Sequence, residues 1–526
     1  MVRTRSKETG NSLIDAPKDQ TGPYVAARPD AAPQKLDRGS VLVIGLLLSS
    51  AFVVMLNELS MGVALPVIMA DLGITPAVGQ WLTTAFLLTM AVVIPITGWL
   101  LQRLNTRPVF LSAISVFLLG TVTAASSPIF ELLVAGRVLQ AVGTAIMMPL
   151  LMTTIMNLVP PQQRGRIMGL ISVVMAVAPA LGPTVSGVLV TNWGWRAALW
   201  YVVPIAIVSL VLGALWLKNV AELRPARLDL LSALLSIAGF GGLVYGISTI
   251  GDALTPGEGR PVGAVDEAGV TTGGIALAVG VVALGLFIWR QIVLQREDRA
   301  MLDLRTFRAR SFAAATITLV IASIAMFGSF LILPIYMQTV LGLSPLEAGM
   351  MLLPGSILQG ALGPIIGRRY DRVGPRPLLV PGTIGLLVVF IVFANFGENT
   401  PIWLVLIVQI FYSVTLAHIF TPIMTAALGA LPKHLYSHGS ATISTLQQVG
   451  GATGSALLAG VYTVVSGIAI AGGAAQHAGE AAGMRMAFVI GIPLVVIAMV
   501  AAWFVQREDA PVGAPEAAHG EPAPVH

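Results

Sequence analysis

The chain alternates between long apolar stretches and short polar segments. Fourteen stretches are long enough to cross about 30 Å of hydrocarbon, which takes roughly 17 to 25 helical residues. They lack the strict alternation of barrel strands, and a helix satisfies its own backbone hydrogen bonds in lipid. The pattern therefore predicts an all-α integral membrane protein. The predicted spans lie near residues 41–68, 77–101, 108–127, 130–158, 166–190, 197–217, 229–250, 271–290, 311–340, 346–367, 378–396, 401–430, 439–467 and 485–505.

The positive residues predict an orientation for these spans. If the N-terminus lies inside the cell, 26 of the 30 Lys and Arg residues fall in segments on that side. This asymmetry follows the positive-inside rule, and one missed helix would invert every later loop. We therefore expect an even number of helices and both termini in the cytoplasm.

The second half of the chain repeats the first. The stretch 74–108 aligns with 343–377 at a constant offset of 269, which pairs Gly98 with Gly367. Two parallel six-helix halves with a site between them near the midplane are a transporter architecture. Two spans between the halves have no repeat partner, and we expect them at the periphery. The predicted organisation is a disordered cytoplasmic tail (1–39), a six-helix bundle (40–218), two inserted helices (219–300), a second six-helix bundle (301–506) and a second disordered cytoplasmic tail (507–526).

A loop motif follows the second span of each half. In the second half it reads "GRRYDRVGPR" and supplies Gly367, Asp371, Arg372, Gly374 and Arg376. We expect Asp371 to hold one of the two arginines or a neighbouring helix terminus, because helix N-termini attract negative charge.

The first half carries a degraded copy of this motif, "GWLLQRLNTR". Gly98, Arg103 and Arg107 remain, but Gln102 replaces the acidic residue and Asn105 replaces the second glycine. Gln102 can form a hydrogen bond but cannot form an ion pair.

Two further motifs lie inside predicted spans. The fourth span contains "RVLQAVGTA", with Arg137 and Gln140, and the fifth contains "APALGPTVSG", with Gly182, Pro183 and Gly187. Small residues let helix backbones approach closely and a proline bends a helix. We expect the fifth-span segment to act as a moving contact between the halves.

These motifs resemble those of the major facilitator superfamily, in its 14-helix drug:proton antiporter family, and the resemblance covers residues 40–506. It implies the major facilitator fold, with 14 transmembrane helices as two six-helix halves plus two inserted helices. It implies export of lipophilic, often cationic drugs across a bacterial plasma membrane by a multi-pass protein, driven by protons through alternating access. A dedicated exporter of one endogenous metabolite or antibiotic is the alternative. It also implies conformational roles for both loop motifs and for the fifth-span glycines and proline.

A carboxylate lies within the first span. Glu58, in "MLNELSMGVALP", costs roughly 2.5 kcal/mol or more to place in the bilayer. The family's first-helix acidic motif is matched by Leu56, Asn57 and Glu58 with the acid displaced by one residue, a rotation of about 100°. By helical rise, Glu58 and Arg137 lie at similar depths. Glu58 is either a titrating group that couples proton entry to drug release or half of a permanent salt bridge with Arg137.

Other candidate residues are weaker. Asn57 and Gln140 accompany the charged pair as candidates for proton coupling or substrate binding. His418, deep in the twelfth span, either lines the cavity and relays protons or bonds to a helix carbonyl as a neutral side chain. Four methionines of the fourth span either pack in the bundle or form an adaptable drug-binding wall; they are Met147, Met148, Met152 and Met156.

Composition excludes several functional classes. The chain is 56% hydrophobic and 10% charged, with a mean hydropathy of +0.85, and it has no cysteine. It has no nucleotide-binding glycine loop and no metal-ligand spacing. We therefore expect no enzyme activity, no nucleic-acid partner and no cofactor other than protons as the coupling ion. The expected partners are drug-like small molecules and the lipid bilayer, and the expected state is a monomer.

Overall fold

A computed structural model describes residues 37–74, 76–79, 81–219, 229–254, 265–297 and 299–506. These residues form helices, with no β-strand among them. Short helices lie at Pro76–Gly79 and Ala197–Trp200, and 3₁₀ turns at Pro161–Gln163, Gln295–Glu297, Leu304–Arg308 and Lys433–Leu435. The long helices, in chain order, are α1 Arg38–Leu72, α2 Trp81–Arg103, α3 Thr106–Ala125, α4 Phe130–Leu158, α5 Arg164–Trp193, α6 Val202–Trp216, α7 Leu230–Leu254, α8 Glu267–Leu294, α9 Arg310–Thr339, α10 Pro345–Val373, α11 Arg376–Phe393, α12 Ile402–Gly429, α13 Tyr436–Ala471 and α14 Gln476–Phe504.

The helices confirm the predicted all-α membrane protein. Thirteen segments of the described chain are long and apolar enough to cross a membrane, and each coincides with all or most of one of these helices. The exception is α5, which has 30 residues but includes side chains at 179, 180 and 183 that the structure does not describe. The predicted count of fourteen is consistent with this result. Residues 1–36 and 507–526, most of the predicted tails, lie outside the described residues.

Helix packing follows the sequence repeat. In the first half α1 packs on α5, α2 on α4 and α3 on α4. In the second half the corresponding pairs, α9 with α13, α10 with α12 and α11 with α12, also pack together. The repeat in the sequence is therefore a repeat of helix contacts. The exact limits predicted for the two bundles stay predictions.

The two halves meet mainly along two helix pairs, α5 with α10 and α2 with α13, and α4 with α13 and α5 with α12 make smaller contacts. The closest approach is near the terminal end, by which we mean the end of the bundle where α1 begins and α14 ends. A Cβ atom added to Gly363 would lie 3.1 Å from the Ser172 Cβ and against the Gly169 carbonyl. Gly165 and Gly367 face each other in the same way. Glycine allows this approach because it has no side chain. Close backbone contact in turn stabilises helix pairs in lipid.

The inserted helices α7 and α8 form an antiparallel pair. Glycines on facing turns, including Gly242 and Gly280, bring the two backbones together. Asp229 accepts hydrogen bonds from Arg290 Nε and Nη2 at 2.6 and 2.8 Å, and these bonds hold the pKa of Asp229 below its usual range. The predicted peripheral position is correct for α8, the least buried of the described spans. It is wrong for α7, which packs on α2 and α13 and so contacts both halves.

The glycine contact predicts a stability difference between two equivalent substitutions in α10. Gly363→Val forces bulk between α5 and α10 and should cost about 1 to 3 kcal/mol. Gly349→Val is the control, because a Cβ there meets no atom within 4 Å. Thermal unfolding of both variants in one detergent should show a lower midpoint for Gly363→Val alone. Equal midpoints would contradict a close α5 to α10 contact.

Candidate functional site

A central cavity of about 200 Å³ lies between the halves, bounded by α1, α2, α4, α5, α9 and α13. Thioether side chains dominate its wall, and methionine adapts to varied apolar shapes. The sequence pointed to the α4 methionines, three of which line the cavity, while Met156 is buried elsewhere. It missed the methionines that four other helices contribute. The lining methionines are Met55, Met90, Met147, Met148, Met152, Met175 and Met326.

Glu58 lines the central cavity and also a second cavity of about 220 Å³ between α1, α2, α7, α9 and α13. Phe327 and Gln448 likewise line both cavities, and Gln448 Nε2 lies 3.6 Å from the Met90 sulfur. Within the described residues, Glu58 makes no hydrogen bond and no salt bridge. The acid is displaced by one residue from its place in the family's first-helix motif. Its carboxylate nevertheless faces open space between the halves.

Arg137 is held by uncharged groups. Its side chain is buried, at 1% exposure, and its guanidinium lies 4.1 Å from the centre of the Phe86 ring. Nη1 donates to Gln140 Oε1 at 2.9 Å, and Nε lies 3.4 Å from the Leu82 carbonyl oxygen. A permanent salt bridge between Glu58 and Arg137 is absent from these described residues. These direct contacts join α4 to α2, and Glu58 adds a longer-range charge attraction.

Three other candidates lie away from the walls of both cavities. Gln140 Nε2 donates to Thr121 Oγ1 at 3.0 Å and joins α4 to α3. His418 Nδ1 donates to the Val414 carbonyl at 2.9 Å, the helix-carbonyl bond that the sequence offered as the alternative. Asn57 is 1% exposed, and neither polar atom of its side chain has a partner among the described residues. Of the five candidates for coupling or substrate binding, only the glutamate lines either cavity.

Asp371 joins the halves at the terminal end. Its carboxylate accepts hydrogen bonds from the backbone N–H groups of Gly165 at 2.7 Å and Arg166 at 2.9 Å. These residues begin α5, so the carboxylate of α10 caps a helix of the other half, where a negative charge is favoured. The expected contact with a neighbouring helix terminus is confirmed. Arg372 and Arg376 of the same motif are exposed at this end.

Gln102 makes the equivalent contact in the first half. Its Nε2 donates to Ser437 Oγ at 3.1 Å and contacts His438 Nε2, and both partners lie in the first turn of α13. His438 Nδ1 in turn donates to the Met301 carbonyl at 3.1 Å, in the segment that follows α8. The prediction that Gln102 forms a hydrogen bond is confirmed. A neutral amide therefore occupies the place that Asp371 occupies in the other half.

The remaining residues of the degraded motif also lie at the terminal end. Arg107 Nη2 donates to the Ala214 carbonyl at 2.6 Å, which joins the start of α3 to α6. A Cβ atom on Gly98 would lie 3.3 Å from the Ala441 Cβ, so this glycine permits the α2 to α13 contact. Arg103 is exposed at the end of α2. The contact of Gly98 matches in position that of Gly367 in the intact motif.

Backbone geometry explains why one motif glycine is present only in the second half. Gly374 ends α10 with φ of 78°, and its N–H bonds to the Tyr370 carbonyl at 2.8 Å. Glycine is favoured at such an angle because side chains crowd the backbone there. Asn105, at the equivalent place, has φ of −64° and begins α3. The first loop therefore does not need glycine at this position.

The fifth-span motif packs within its own half. Ser60 Oγ lies 3.4 Å from the Gly182 carbonyl, and Ser186 Oγ donates to the Ser60 carbonyl at 2.8 Å. Gly187 is half-buried, and the side chain of Pro183 lies outside the described residues. The expectation of a contact between halves is wrong for Gly182, which packs on α1. Glycines near the start of α5 make that contact instead.

Comparison with known proteins identifies the family. The profile of the Major Facilitator Superfamily matches residues 47–455. This chain belongs to the major facilitator superfamily. The solved structure of the proton:xylose symporter XylE is similar to this transporter with a TM-score of 0.58 and 12% identity, covering 89% of this chain and 96% of that chain. The human organic anion transporter MFSD10 has a TM-score of 0.56 and 15% identity, covering 87% and 99%. At such identities these structures support the fold alone.

Curated relatives of this chain include bacterial proteins named for drug resistance. The lincomycin resistance protein LmrB of Listeria monocytogenes is 34% identical to this transporter, covering 88% of this chain and 96% of the relative. The uncharacterized transporter YcnB of Bacillus subtilis is 36% identical, covering 89% and 96%. A multidrug resistance protein B homolog of Mycobacterium tuberculosis is 28% identical, covering 86% and 83%. These relatives are bacterial transporters rather than enzymes, and this chain is likewise a multi-pass membrane transporter.

The Asp371 contact predicts a weaker junction when its charge is removed. Asp371→Asn leaves one oxygen acceptor for two N–H donors and removes the charge at the start of α5, which should cost roughly 0.5 to 2 kcal/mol. Spin labels on the ends of α5 and α10 should then report a larger population of separated halves. Glu347→Gln, an exposed carboxylate at the other end of α10, is the control. Identical distance distributions in both variants would show that Asp371 does not hold the halves together.

Proposed function

We propose that this transporter exports lipophilic, often cationic drugs across the plasma membrane in exchange for protons, by alternating access. The observation that carries the proposal is the Glu58 carboxylate. It faces two largely apolar cavities between the halves and has no hydrogen-bond or ion-pair partner in the described part of the chain. The names of the relatives, which refer to lincomycin and multidrug resistance, support drugs as the substrate class.

The lone carboxylate provides the coupling. An ionised carboxylate in apolar surroundings is costly, and either a bound proton or a nearby cation lowers that cost. The two compete for one site, so a proton that binds Glu58 weakens the hold on a cationic drug. Arg137 keeps its hydrogen bond to Gln140 and its contact with the Phe86 ring, so Glu58 can exchange ligands without breaking these contacts.

Two polar contacts between the halves support an outward-facing state for this structure. Thr153 and Ser440 hydroxyls lie 2.8 Å apart, and Ser172 and Thr421 hydroxyls lie 2.5 Å apart. Each pair joins the two halves, on the side of the cavity toward the terminal end. With the predicted orientation, these contacts close the cytoplasmic side, and the cavity faces outward. In that state external protons reach Glu58 and the drug leaves.

The methionine wall supports a broad substrate range. Flexible, polarizable side chains repack around ligands of different shapes. A dedicated exporter of one metabolite or antibiotic would instead bind with a rigid, polar set of contacts. Susceptibility of a hypersensitive bacterial strain expressing the transporter distinguishes the two. Protection against several unrelated lipophilic cations supports multidrug export, and protection against one compound contradicts it.

Glu58→Gln tests the coupling role directly. Glutamine keeps the size of the side chain but fixes it in a neutral form. In vesicles with an imposed pH gradient, uptake of a cationic dye should fall by roughly tenfold or more, since close charge pairs contribute about 1.5 kcal/mol or more. Protein yield should persist because Arg137 keeps its own partners.

The matched control is Glu131→Gln, which removes an exposed carboxylate in the first turn of α4. It should transport like the unaltered protein. Gradient-driven export that survives in Glu58→Gln would remove this residue from the mechanism. Transport that persists after full collapse of the proton gradient, while ATP or sodium drives it, would show that exchange with protons is wrong.

A further inference from the structure

The second cavity continues the central one away from the terminal end. Along α13 the lining of the central cavity stops at Gln448, and the second cavity runs from there to Ala459, roughly 16 Å further along the helix. Its lining on α2 and α9 is displaced in the same direction, to Leu87 and Leu331. Glu58 lies where the two cavities meet, so one carboxylate can be reached from both.

Two serine hydroxyls line the second cavity, Ser248 on α7 and Ser455 on α13. Both side chains are half-buried, and neither makes a hydrogen bond within the described residues. Ser236, elsewhere on α7, instead donates to a carbonyl of its own helix. The hydroxyls of Ser248 and Ser455 are therefore available to water. A larger share of this wall is polar than of the wall of the central cavity.

The second cavity has room for a chain of hydrogen-bonded water. Its volume of about 220 Å³ is enough for several water molecules, each of which takes about 30 Å³ in the liquid. Gln448 and Glu58 supply polar groups at one end, and the two serines supply them further along. Among the described residues that line the two cavities, Glu58 is the only titratable side chain, and the charge of Arg137 acts on it from α4. A proton that enters here therefore binds at Glu58.

We propose that the second cavity is a hydrated pathway that carries external protons to Glu58 while a drug occupies the central cavity. An external hydronium ion loses one proton, hydrogen-bonded waters pass one proton along, and the carboxylate becomes a neutral acid. The drug and the proton thus reach Glu58 from different sides, and the proton can bind before the drug leaves. This pathway rests on the proposed exchange of drugs for protons and gives α7 a part in it.

Cysteine labelling of the purified full-length transporter in lipid nanodiscs tests whether the second cavity holds water. The chain has no cysteine, so each introduced thiol is the only one. Ser455→Cys places a thiol in the second cavity. Ile275→Cys is the control, because Ile275 is 63% exposed on α8, the helix that packs on the lipid side of α7. The neutral reagent 2-hydroxyethyl methanethiosulfonate attacks thiolates, and apolar surroundings keep a thiol protonated, so Ser455→Cys should react at least roughly tenfold faster.

The same labelling with bound methyltriphenylphosphonium tests whether drug and proton use different cavities. Gln447→Cys is the matched variant, since Gln447 lines only the central cavity, about two turns before Ser455 on α13. At about ten times its Kd, the cation should slow labelling of Gln447→Cys by about tenfold and leave the rate of Ser455→Cys unchanged.

Ser455→Leu fills the pathway, and Ser455→Thr keeps the hydroxyl as its control. Uptake of the cation into vesicles under a pH gradient should be lost in Ser455→Leu and retained in Ser455→Thr. Isothermal titration of both variants, checked as monodisperse by size exclusion, should give the Kd of the unaltered protein.

Four results would overturn the pathway while leaving the exchange of drugs for protons in place. Labelling of Ser455→Cys as slow as that of Ile275→Cys shows a cavity without water. Protection of Ser455→Cys by the cation, or weaker binding of the cation to Ser455→Leu, shows that the drug itself occupies the second cavity. Normal uptake by Ser455→Leu shows that protons take another route, and bound cation that leaves Gln447→Cys unprotected places the drug outside the central cavity. If the unaltered transporter neither binds the cation nor moves it under a pH gradient, the proposed exchange fails and the pathway fails with it.

Discussion

Direct contact between helix backbones is the interaction on which this structure depends. Lipid is as apolar as leucine, so burial of hydrophobic side chains does not drive helices together, and close packing must do so. Gly169 and Gly363 bring α5 and α10 together, and Gly98 does the same for α2 and α13. Both junctions lie toward one end of the bundle. The central cavity lies beyond these contacts, and α2, α5 and α13 contribute to its wall.

The internal repeat places a polar side chain at each of two junctions between the halves, but the two side chains differ in charge. In one, Asp371 caps the start of α5 with a charge, and in the other Gln102 bonds to side chains at the start of α13. A charged cap on a helix N-terminus is stronger than a neutral one. The two junctions therefore differ in strength, so the α2 to α13 contact is expected to separate more readily.

Sequence patterns predicted the features that depend on one helix or on the repeat. Span positions, the loop motifs and the isolated carboxylate Glu58 follow from hydropathy and alignment. The cavity wall did not, because Met55, Met90, Met175 and Met326 lie on four helices whose facing depends on tertiary packing. The same limit explains the other candidates, which were chosen for their polarity at membrane depth. Gln140 and His418 form hydrogen bonds within their own halves, and Asn57 is buried away from both cavities.

The position of α7 has an evolutionary consequence. A helix pair added between two repeats is a simple appendage when it touches neither of them closely. Here α7 contacts α2 and α13 and supplies Val244, Ser248 and Gly251 to a cavity that reaches Glu58. Excision of residues 229–294 would leave that cavity without one wall and bring acyl chains toward the carboxylate. A twelve-helix version of this chain would therefore require new bulk on α13.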